Sequence, residues 1–369
     1  MKVLMTADAR SVHTRRWAVS LKAGGVDVVL YSIYRSPDAF FEEHGIRLYV
    51  FDLFTYKQKK GAGAFTAMIS RHAAAVRFLK SVIASEAPDI LHAHYATSFG
   101  LIAALSGFHP FIMSVWGSDV YEFPDKSFIN RLSVKFVLRR ADRILSTSHV
   151  MARRTAKFTS KPIAVTPFGV DTGLFRKLTV SHDDKFIIGN VKTLSPKYGI
   201  DVLIRAFKIV MERNPGLSAG LVIVGDGPCR SEYEKLAADL GISDNVRFVG
   251  RVSNDRLPWY YNSFSVAVSL SVLDSESFGV VAVEAMACGC PVVVSDADGF
   301  TEVVENGVTG FVVPKRSPEA AADAIQKFID NPGLRDSMGA AGRDRVCRLY
   351  DWKDNVALML NIYGEVVNG

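Results

Sequence analysis

Short apolar runs alternate with amphipathic helical stretches along the whole chain of 369 residues. This alternation is typical of parallel β-sheets that are covered by helices on both faces. It predicts an α/β fold with two successive Rossmann-like layers, with seven strands in the first half and six in the second. The predicted strands are 3–7, 26–31, 46–50, 90–94, 111–115, 144–147, 163–165, 186–191, 220–224, 246–249, 266–270, 291–294 and 310–313.

A proline and a glycine interrupt the pattern at Pro167 and Gly169, where we place a boundary between two domains. The chain length agrees with about two domains at roughly 150 residues per domain. The first domain is predicted over residues 1–168 and the second over residues 169–351. Residues 352–369 have the pattern of a helix that follows the completed second domain, so we expect this helix to pack back on the first domain.

The two halves of the chain differ in charge. Residues 1–165 contain 23 Lys and Arg against 12 Asp and Glu, a net charge of +11, whereas the rest of the chain carries −5. A basic first half favours an anionic membrane surface or an acidic acceptor as the binding partner. The alternative is that these charges only form a solvated surface. We expect no nucleic acid partner, because no nucleic-acid-binding module accompanies the charge. The basic residues concerned are Lys57, Lys59, Lys60, Arg71, Arg77, Lys80, Arg139, Arg140, Arg153, Arg154 and Lys157.

No segment has the pattern of a membrane span or a secretory signal. Residues 95–117 contain no Asp, Glu, Lys or Arg, but His109, Pro110 and glycines interrupt this stretch, which favours a helix, a turn and a strand. The chain begins directly with a predicted strand. We therefore expect a cytoplasmic protein, bound peripherally to the inner face of the membrane if the basic half contacts lipid.

Metal and disulfide chemistry are not expected. The four cysteines are too few and too irregularly spaced for a disulfide framework or a zinc site. His92 and His94 alternate onto one face of a strand, but two histidines without nearby partners are more often structural than ligating. A dinucleotide fingerprint is excluded, because Arg230 stands where its third glycine is required.

Two carboxylates with seven residues between them form the strongest local motif. Glu276 is expected at the mouth of a helix that begins near Phe278, and Glu284 two turns into that helix. The backbone N–H groups of Gly279 and Val280 would then form an anion site at the positive end of the helix. Alternatively, Glu276 only complements the helix dipole and Glu284 is solvated, although Glu284 stands among apolar residues and would need hydrogen-bond partners.

This pair of glutamates and three further motifs resemble the C-terminal domain of family 4 glycosyltransferases. The further motifs are 225–228, 248–251 and 307–311, and together the four motifs cover most of residues 186–350. The resemblance implies a GT-B fold, in which two Rossmann-like parallel-sheet domains face a cleft. It also implies a nucleotide-sugar donor bound by the second domain and transfer with retention of anomeric configuration.

The same resemblance implies roles for individual residues of the donor site. Glu276 matches the glutamate that hydrogen-bonds the donor sugar, and Glu284 matches the one that binds the ribose hydroxyls. Arg251 and Val252 fall where the family frames the base. The other implied donor-binding residues are Gly225, Ser277, Phe278, Gly279 and Val280.

Cations should lie beside the leaving phosphate, because negative charge builds there as the sugar is transferred. Family members carry an Arg and a Lys five positions apart after the first strand of the second domain. Lys192 and Lys197 match this spacing, with Lys in place of Arg, and the alternative is that both are solvated loop residues. An alignment shifted by one residue places Thr193 and Tyr198 at these sites instead.

The first domain departs from the family pattern in two loops. The loop after the first strand leads to His13 and Arg15 where family members often have paired glycines, so we expect side chains to face the ligands there. A second loop begins with Trp116, where the family often has a histidine, and ends with Asp119. Trp116 either stacks on a sugar or packs at a strand end, and Asp119 either binds an acceptor hydroxyl or orients a neighbour.

These observations predict a retaining glycosyltransferase that transfers a hexosyl or N-acetylhexosaminyl group from a UDP- or GDP-linked sugar. The acceptor would be a hydroxyl of a glycan, a lipid-linked molecule or a small molecule bound by the first domain, as in polysaccharide biosynthesis. We expect no metal and no cofactor besides the nucleotide-sugar co-substrate. Two alternatives stay open: a nucleotide-sugar 2-epimerase of the same fold, and a non-catalytic sugar-nucleotide sensor.

Overall fold

The computed structural model describes residues 1–53, 63–180 and 185–368, and for residues 63–68 it describes the backbone alone. Three of the basic residues noted above, Lys57, Lys59 and Lys60, lie outside the described residues. The chain divides into two compact units. The first unit comprises residues 1–167 and 354–369, and the second comprises residues 168–353.

The first unit is built on a parallel sheet of seven strands, counted over the part of the chain that the structure describes. The strands are β1 (Lys2–Thr6), β2 (Asp27–Ser32), β3 (Arg47–Val50), β4 (Ile90–His94), β5 (Phe111–Val115), β6 (Arg143–Ser146) and β7 (Ile163–Val165), in the order β3-β2-β1-β4-β5-β6-β7. The helices between them are α1 (Val12–Ala23), α2 (Phe40–Glu43), α3 (Gly63–Glu86), α4 (Ser98–Ser106), α5 (Ser118–Tyr121), α6 (Phe128–Arg140) and α7 (His149–Thr155).

The second unit repeats this plan with six parallel strands among its described residues. They are β8 (Phe186–Val191), β9 (Ala219–Val224), β10 (Val246–Gly250), β11 (Val266–Ser269), β12 (Val292–Ser295) and β13 (Gly310–Val313), in the order β10-β9-β8-β11-β12-β13. The helices are α8 (Ile200–Arg213), α9 (Arg230–Asp239), α10 (Leu257–Ser263), α11 (Val280–Ala287), α12 (Asp298–Val303), α13 (Pro318–Asp330) and α14 (Pro332–Leu349), with 3-10 turns at Pro196–Tyr198, Ser243–Asn245 and Asn254–Arg256.

The last helix, α15 (Trp352–Asn368), belongs to the first unit from Asp354 onward. The hydroxyl of Tyr363 on this helix lies 2.6 Å from Nδ1 of His92 in the central strand β4. A Cβ built on Gly24, at the end of α1, would lie 2.8 Å from a methyl carbon of Leu360. The C-terminal helix is therefore packed against the core of the first unit.

The predicted strands and the α/β fold are confirmed, and each predicted strand end lies within one residue of the observed end. The prediction succeeded because most of these strands are largely buried, so their sequences are nearly continuous apolar runs. Every residue of β4 and β5, for example, is buried.

The strand order reverses direction between β1 and β4 in the first sheet and between β8 and β11 in the second. In open parallel sheets, the loops that leave the carboxyl ends of strands at such a switch point diverge and leave a crevice for ligands. The loops after β1, β4, β8 and β11 are therefore the places to look for a site. Within the described ranges, no helix combines the length and apolar character needed to cross a bilayer.

Candidate active site

The loops after β8 and β11 bring a lysine and a glutamate together at the switch point of the second sheet. Nζ of Lys192 lies 2.7 Å from Oε2 of Glu276, and the two side chains are 13% and 9% exposed. The hydroxyl of Ser271 donates a hydrogen bond of 3.0 Å to the same carboxylate oxygen. The structure therefore joins two of the sequence-predicted residues, and it adds Ser271, which the sequence did not single out.

Glu276 is buried and still favours its charged form. Burial by itself would raise the pKa of this carboxyl, but Lys192, with smaller contributions from Ser271 and Lys197, holds the pKa below its ordinary value. The carboxylate is thus ionised at neutral pH and can accept further hydrogen bonds.

The ring of Tyr198 lies close to both lysines. Its centroid is 4.6 Å from Nζ of Lys192 and 5.6 Å from Nζ of Lys197, within the range of cation–π attraction. Lys197 also donates a hydrogen bond of 3.3 Å to the backbone carbonyl of Ser275, in the segment that leads to Glu276. Thr193 is exposed. This geometry favours the alignment that uses the two lysines.

Glycines in the loop after β9 allow it to lie directly against the backbone of Lys192. Gly225 has φ +136°, and a Cβ on it would lie 2.0 Å from the carbonyl oxygen of Lys192. A Cβ on Gly227 would lie 2.4 Å from the carbonyl oxygen of Leu194, whose N–H bonds to the carbonyl of Asp226. Only glycine fits at such distances, so this loop fixes the backbone that carries Lys192.

Helix α11 begins at Val280, two residues later than the predicted start near Phe278. Gly279 has φ +82°, a left-handed conformation that the α-helix cannot include, and it serves as the N-cap. Phe278 is buried and packs against the rings of Phe168 and Tyr350. As a result Glu284 stands about one turn into the helix rather than two.

The segment between the glutamates is closely packed. Ser277 is buried, and a Cβ built on Gly299 would lie 2.3 Å from the backbone nitrogen of Phe278. Gly299 also donates its N–H to the carbonyl of Glu276 at 2.8 Å. The start of α12 therefore fixes the backbone around Glu276. Helix α12 follows β12, which flanks β11 on the side away from β8.

Glu284 is buried, and its Oε2 accepts a hydrogen bond of 2.9 Å from the hydroxyl of Tyr261 on α10. Burial, and next the neighbouring charge of Glu284, raises the pKa of this tyrosine well above its ordinary value. Tyr261 therefore stays protonated and keeps donating. The solvated alternative for Glu284 is excluded by this burial, and Tyr261 is a partner that sequence analysis did not identify.

Arg251 and Val252 follow β10, next to the loop of Gly225. The carbonyl of Gly250 accepts the N–H of Gly225 at 2.9 Å. Arg251 is exposed and Val252 is half-buried. The structure thus places both predicted base-framing residues at the carboxyl edge of the same sheet as Lys192.

In the first unit, three rings from separate elements form a cluster. The ring centroids of His94 and Trp116 are 4.6 Å apart, and those of His13 and Trp116 are 6.1 Å apart with an edge-on arrangement. His13 comes from the start of α1, His94 from the end of β4 and Trp116 from the loop after β5. The structure therefore brings His13 and Trp116 together, as their positions after strands of one sheet predict.

Arg15 faces another partner. Its guanidinium makes two hydrogen bonds, of 2.9 and 2.8 Å, to the carboxylate of Asp38, and its Nε lies 3.3 Å from the carbonyl of Ala9. This bidentate pair ties the first turn of α1 to the segment before α2. The arrangement favours a positioning role for Arg15 over the predicted contact with sugar or acceptor.

Asp119 is fully buried, and its carboxylate is used by the backbone around it. It accepts N–H groups from Ala96 at 2.8 Å, from Gly117 at 2.7 Å and from Trp116 at 3.2 Å. Of the two roles proposed from sequence, this geometry supports orienting the Trp116 loop and leaves no exposed oxygen for an acceptor hydroxyl. Burial raises the pKa of Asp119, while these backbone hydrogen bonds oppose the shift.

His92 and His94 are both buried in this fold. The nitrogens of His92 contact the hydroxyls of Tyr363 and Ser114, at 2.6 and 2.8 Å, and burial lowers the pKa of both histidines, that of His94 to about 3. Nδ1 of His94 is buried and has no hydrogen-bond partner among the residues that the structure describes. Across residues 1–53, 63–180 and 185–368, no three His, Cys, Asp or Glu side chains are grouped so as to hold a metal ion.

Two family models match the chain. The model described as "Glycosyl transferases group 1" matches residues 172–345, which lie in the second unit. The model described as "Glycosyl transferase 4-like" matches residues 2–148, which lie in the first unit.

Similar proteins are known in sequence and in structure. The chain is 32% identical over 302 residues to the D-inositol 3-phosphate glycosyltransferase of Kribbella flavida, covering 72% of this chain and 70% of that protein. It is 37% identical over 190 residues to an uncharacterized glycosyltransferase of Methanocaldococcus jannaschii, and here the match spans 51% of this chain and about half, 47%, of the relative. The crystal structure of Anabaena HepE in complex with UDP and glucose superimposes with a TM-score of 0.80 and 20% identity, over 99% of this chain and 100% of that chain.

Two parallel-sheet units with this strand order, together with the structural likeness over 99% of the chain, define a protein with the GT-B fold. The two family models and the Kribbella relative identify it further. The chain belongs to the family 4 glycosyltransferases.

Proposed function

We propose that this protein transfers a hexosyl or N-acetylhexosaminyl group from a UDP- or GDP-linked sugar to an acceptor hydroxyl, with retention of anomeric configuration. The observation that carries the proposal is the buried, ionised Glu276 held by Lys192 at the switch point of the second sheet. Membership in the family supports it, as does the likeness to a protein whose structure contains UDP and glucose.

Lys192 and Lys197 are proposed to face the diphosphate of the donor. When the bond between the anomeric carbon and the phosphate oxygen breaks, negative charge grows on the leaving diphosphate. Two ammonium groups held near one tyrosine ring, together with the first N–H groups of α11 at Gly279 and Val280, would stabilise that charge.

The two glutamates are proposed to bind different parts of the donor. Glu276 would accept hydrogen bonds from sugar hydroxyls, because Lys192 keeps it ionised next to the diphosphate site. Glu284, oriented by Tyr261, would accept hydrogen bonds from the ribose hydroxyls. Arg251 and Val252, at the same edge of the sheet, would contact the base.

The acceptor is proposed to bind the first unit near His13 and Trp116, which are both half-buried and have neighbouring rings. Its chemical classes are a glycan, a lipid-linked molecule or a small molecule, and the name of the Kribbella relative adds phosphorylated polyols to the small molecules worth testing. We further propose action in polysaccharide biosynthesis at the cytoplasmic face of a membrane. No protein base or metal is needed if the leaving phosphate itself takes the proton of the acceptor hydroxyl.

A thermal-shift screen with UDP-, GDP- and ADP-linked sugars tests the donor, because a ligand that binds the folded state raises its melting temperature. We expect strong stabilisation by one nucleotide class. NMR of the product with that donor then reports the anomer, and retention is the expected result. Conversion of the donor to an epimer without acceptor would identify an epimerase, and donor binding without turnover over a panel of acceptors would identify a sensor.

A further inference from the structure

Helix α6 exposes large apolar side chains at its N-terminal end. Phe128 is 74% exposed, Ile129 is 71% exposed and Leu132 is 48% exposed. Phe128 and Leu132 are four residues apart and therefore neighbours on one face of the helix. A cluster of three such residues in the first turns of one helix is unusual for a surface that meets only water.

The opposite face of α6 anchors the helix to the core. Val134, Val137 and Leu138 are buried in the apolar cluster of the first unit. At the N-terminus, the side chain of Ser127 accepts the N–H of Asn130 at 3.1 Å, a standard helix cap. The exposed residues therefore stand on a well-fixed helix and are not the frayed end of a loop.

Basic residues continue the outward face. Arg131, Lys135 and Arg139 are spaced four residues apart and are all exposed, and Lys126 is exposed just before the helix. Between residues 126 and 161 the sequence contains ten Lys and Arg but one acidic residue, Asp142. An apolar end beside a basic flank has the chemistry of a helix that lies in the interface of an anionic bilayer.

We propose that α6 is the surface by which this protein docks on anionic lipid, with Phe128, Ile129 and Leu132 inserted among the lipids and Arg131, Lys135 and Arg139 facing the headgroups. The proposal thus assigns the membrane contact expected from the positive charge of the first unit to one helix. It rests on the proposed function only for its purpose, which is to bring the enzyme to a lipid-linked acceptor.

Charge decides between a lipid surface and a second copy of the chain. A symmetric dimer through α6 would bring the same cations of two copies together, which is unfavourable. An anionic membrane complements both parts of the exposed face of α6, because its headgroups attract the basic residues and its apolar interior accepts the apolar side chains.

The test is sedimentation of the full chain with vesicles of phosphatidylcholine alone and of phosphatidylcholine mixed with phosphatidylglycerol. We expect the wild type to pellet with the mixed vesicles and to be released by salt. The triple variant F128S/I129S/L132S should bind at least about tenfold more weakly. The triple variant R131Q/K135Q/R139Q should lose about a hundredfold, at about fivefold per charge.

Control positions of similar exposure lie in the second unit. Trp259 is 52% exposed and Val308 is 48% exposed, so W259S/V308S removes comparable exposed apolar groups elsewhere, and K235Q/R348Q removes two charges of exposed side chains. Both control variants should bind vesicles within about twofold of the wild type, since surface changes outside the contact have small effects.

Three results would overturn the proposal: wild-type protein that ignores the mixed vesicles at low salt, an F128S/I129S/L132S variant that binds as the wild type does, or a wild-type dimer that this variant converts to monomers. Thermal stabilisation by the donor nucleotide, measured in the same variants, should be unchanged. It therefore reports failure of the donor site separately from failure of the membrane surface.

Discussion

Nζ of Lys192 and Oε2 of Glu276 lie 2.7 Å apart although 83 residues lie between them in sequence, and both side chains are largely buried. Strands β8 and β11 are neighbours in the sheet, so the loops that follow them deliver the two charges to one point. A buried carboxylate that remains ionised beside a lysine is costly to maintain. This cost is consistent with a site kept for binding rather than for stability.

Substitutions of the two glutamates should differ in their effects on nucleotide binding and on sugar transfer. Glu284→Gln is expected to weaken binding of the free nucleoside diphosphate about tenfold, because a charged hydrogen-bond acceptor for ribose is lost. Glu276→Gln should leave that binding nearly intact and lower kcat about a hundredfold. Calorimetry with the nucleotide and kinetics with the full donor measure the two effects. The opposite pattern would mean that the assigned roles are reversed.

Tyr261 is expected to act on nucleotide binding through Glu284. Tyr261→Phe removes the 2.9 Å hydrogen bond but little volume, so affinity for the nucleoside diphosphate should fall about three- to tenfold. The control is Tyr260→Phe, at the adjacent, half-buried position. If Tyr261→Phe lowers the melting temperature without changing the affinity, the tyrosine is structural only. In a Glu284→Ala background, Tyr261→Phe should leave the nucleotide affinity unchanged, because the side chain that Tyr261 orients is then absent.

Asp119 should contribute mainly to the stability of the first unit. Asp119→Asn replaces one carboxylate oxygen by an NH2 donor that faces backbone N–H groups, so we expect a loss of about 1–3 kcal/mol in the free energy of unfolding. Asp125→Asn is the control, because Asp125 is 58% exposed in an ion pair with Arg154. Urea denaturation measures both. Equal stabilities with a large loss of acceptor affinity in Asp119→Asn would instead support the acceptor contact.

Apolar patterning was sufficient to predict all the strands, since each is a short, mostly apolar run bounded by turn residues and most of them are buried. The paired glutamates could also be predicted, because a carboxylate in the apolar sequence around Glu284 requires a function or a partner. The start of α11 could not be predicted to the residue. It depends on the left-handed conformation of Gly279, which follows from the packing of Phe278 in the core.

Contacts between residues that lie far apart in sequence could not be predicted from local sequence patterns. Tyr261 reaches Glu284 because α10 packs beside α11, and Arg15 turns to Asp38 because the segment after β2 passes near the start of α1. Neither pair has a characteristic spacing. Such contacts are set by how elements pack, so sequence alone offered the residue types but not their partners.

The buried histidines predict a dependence of stability on pH. His94 titrates near pH 3 in the folded protein but near 6.5 when unfolded, so below pH 6.5 the unfolded chain binds a proton that the folded chain does not. The free energy of unfolding should therefore fall as the pH is lowered from 6.5 towards 3. The limiting slope for this one group is about 1.4 kcal/mol per pH unit.

The measurement is urea denaturation between pH 7.5 and 5 for the wild type and His94→Phe, at pH values chosen around the unfolded pKa of about 6.5. The variant should show the shallower dependence, because one buried neutral histidine is gone. His109→Gln is the control, since His109 is exposed and pairs with Asp142. A variant slope equal to that of the wild type would contradict the assignment of a neutral His94.

The most direct test of the account is the effect of the two lysines on kcat with the donor identified by thermal shift. Their attraction for the leaving diphosphate should be stronger in the transition state than in the bound donor. Lys192→Ala and Lys197→Ala should each lower kcat about a hundredfold or more and raise KM less, and Lys192→Arg should retain much of the activity. Thr193→Ala and Tyr198→Phe should stay within about tenfold of the wild type. Near-wild-type kcat in both lysine variants, with crippled Thr193→Ala and Tyr198→Phe, would contradict the placement of the diphosphate beside Lys192 and Lys197.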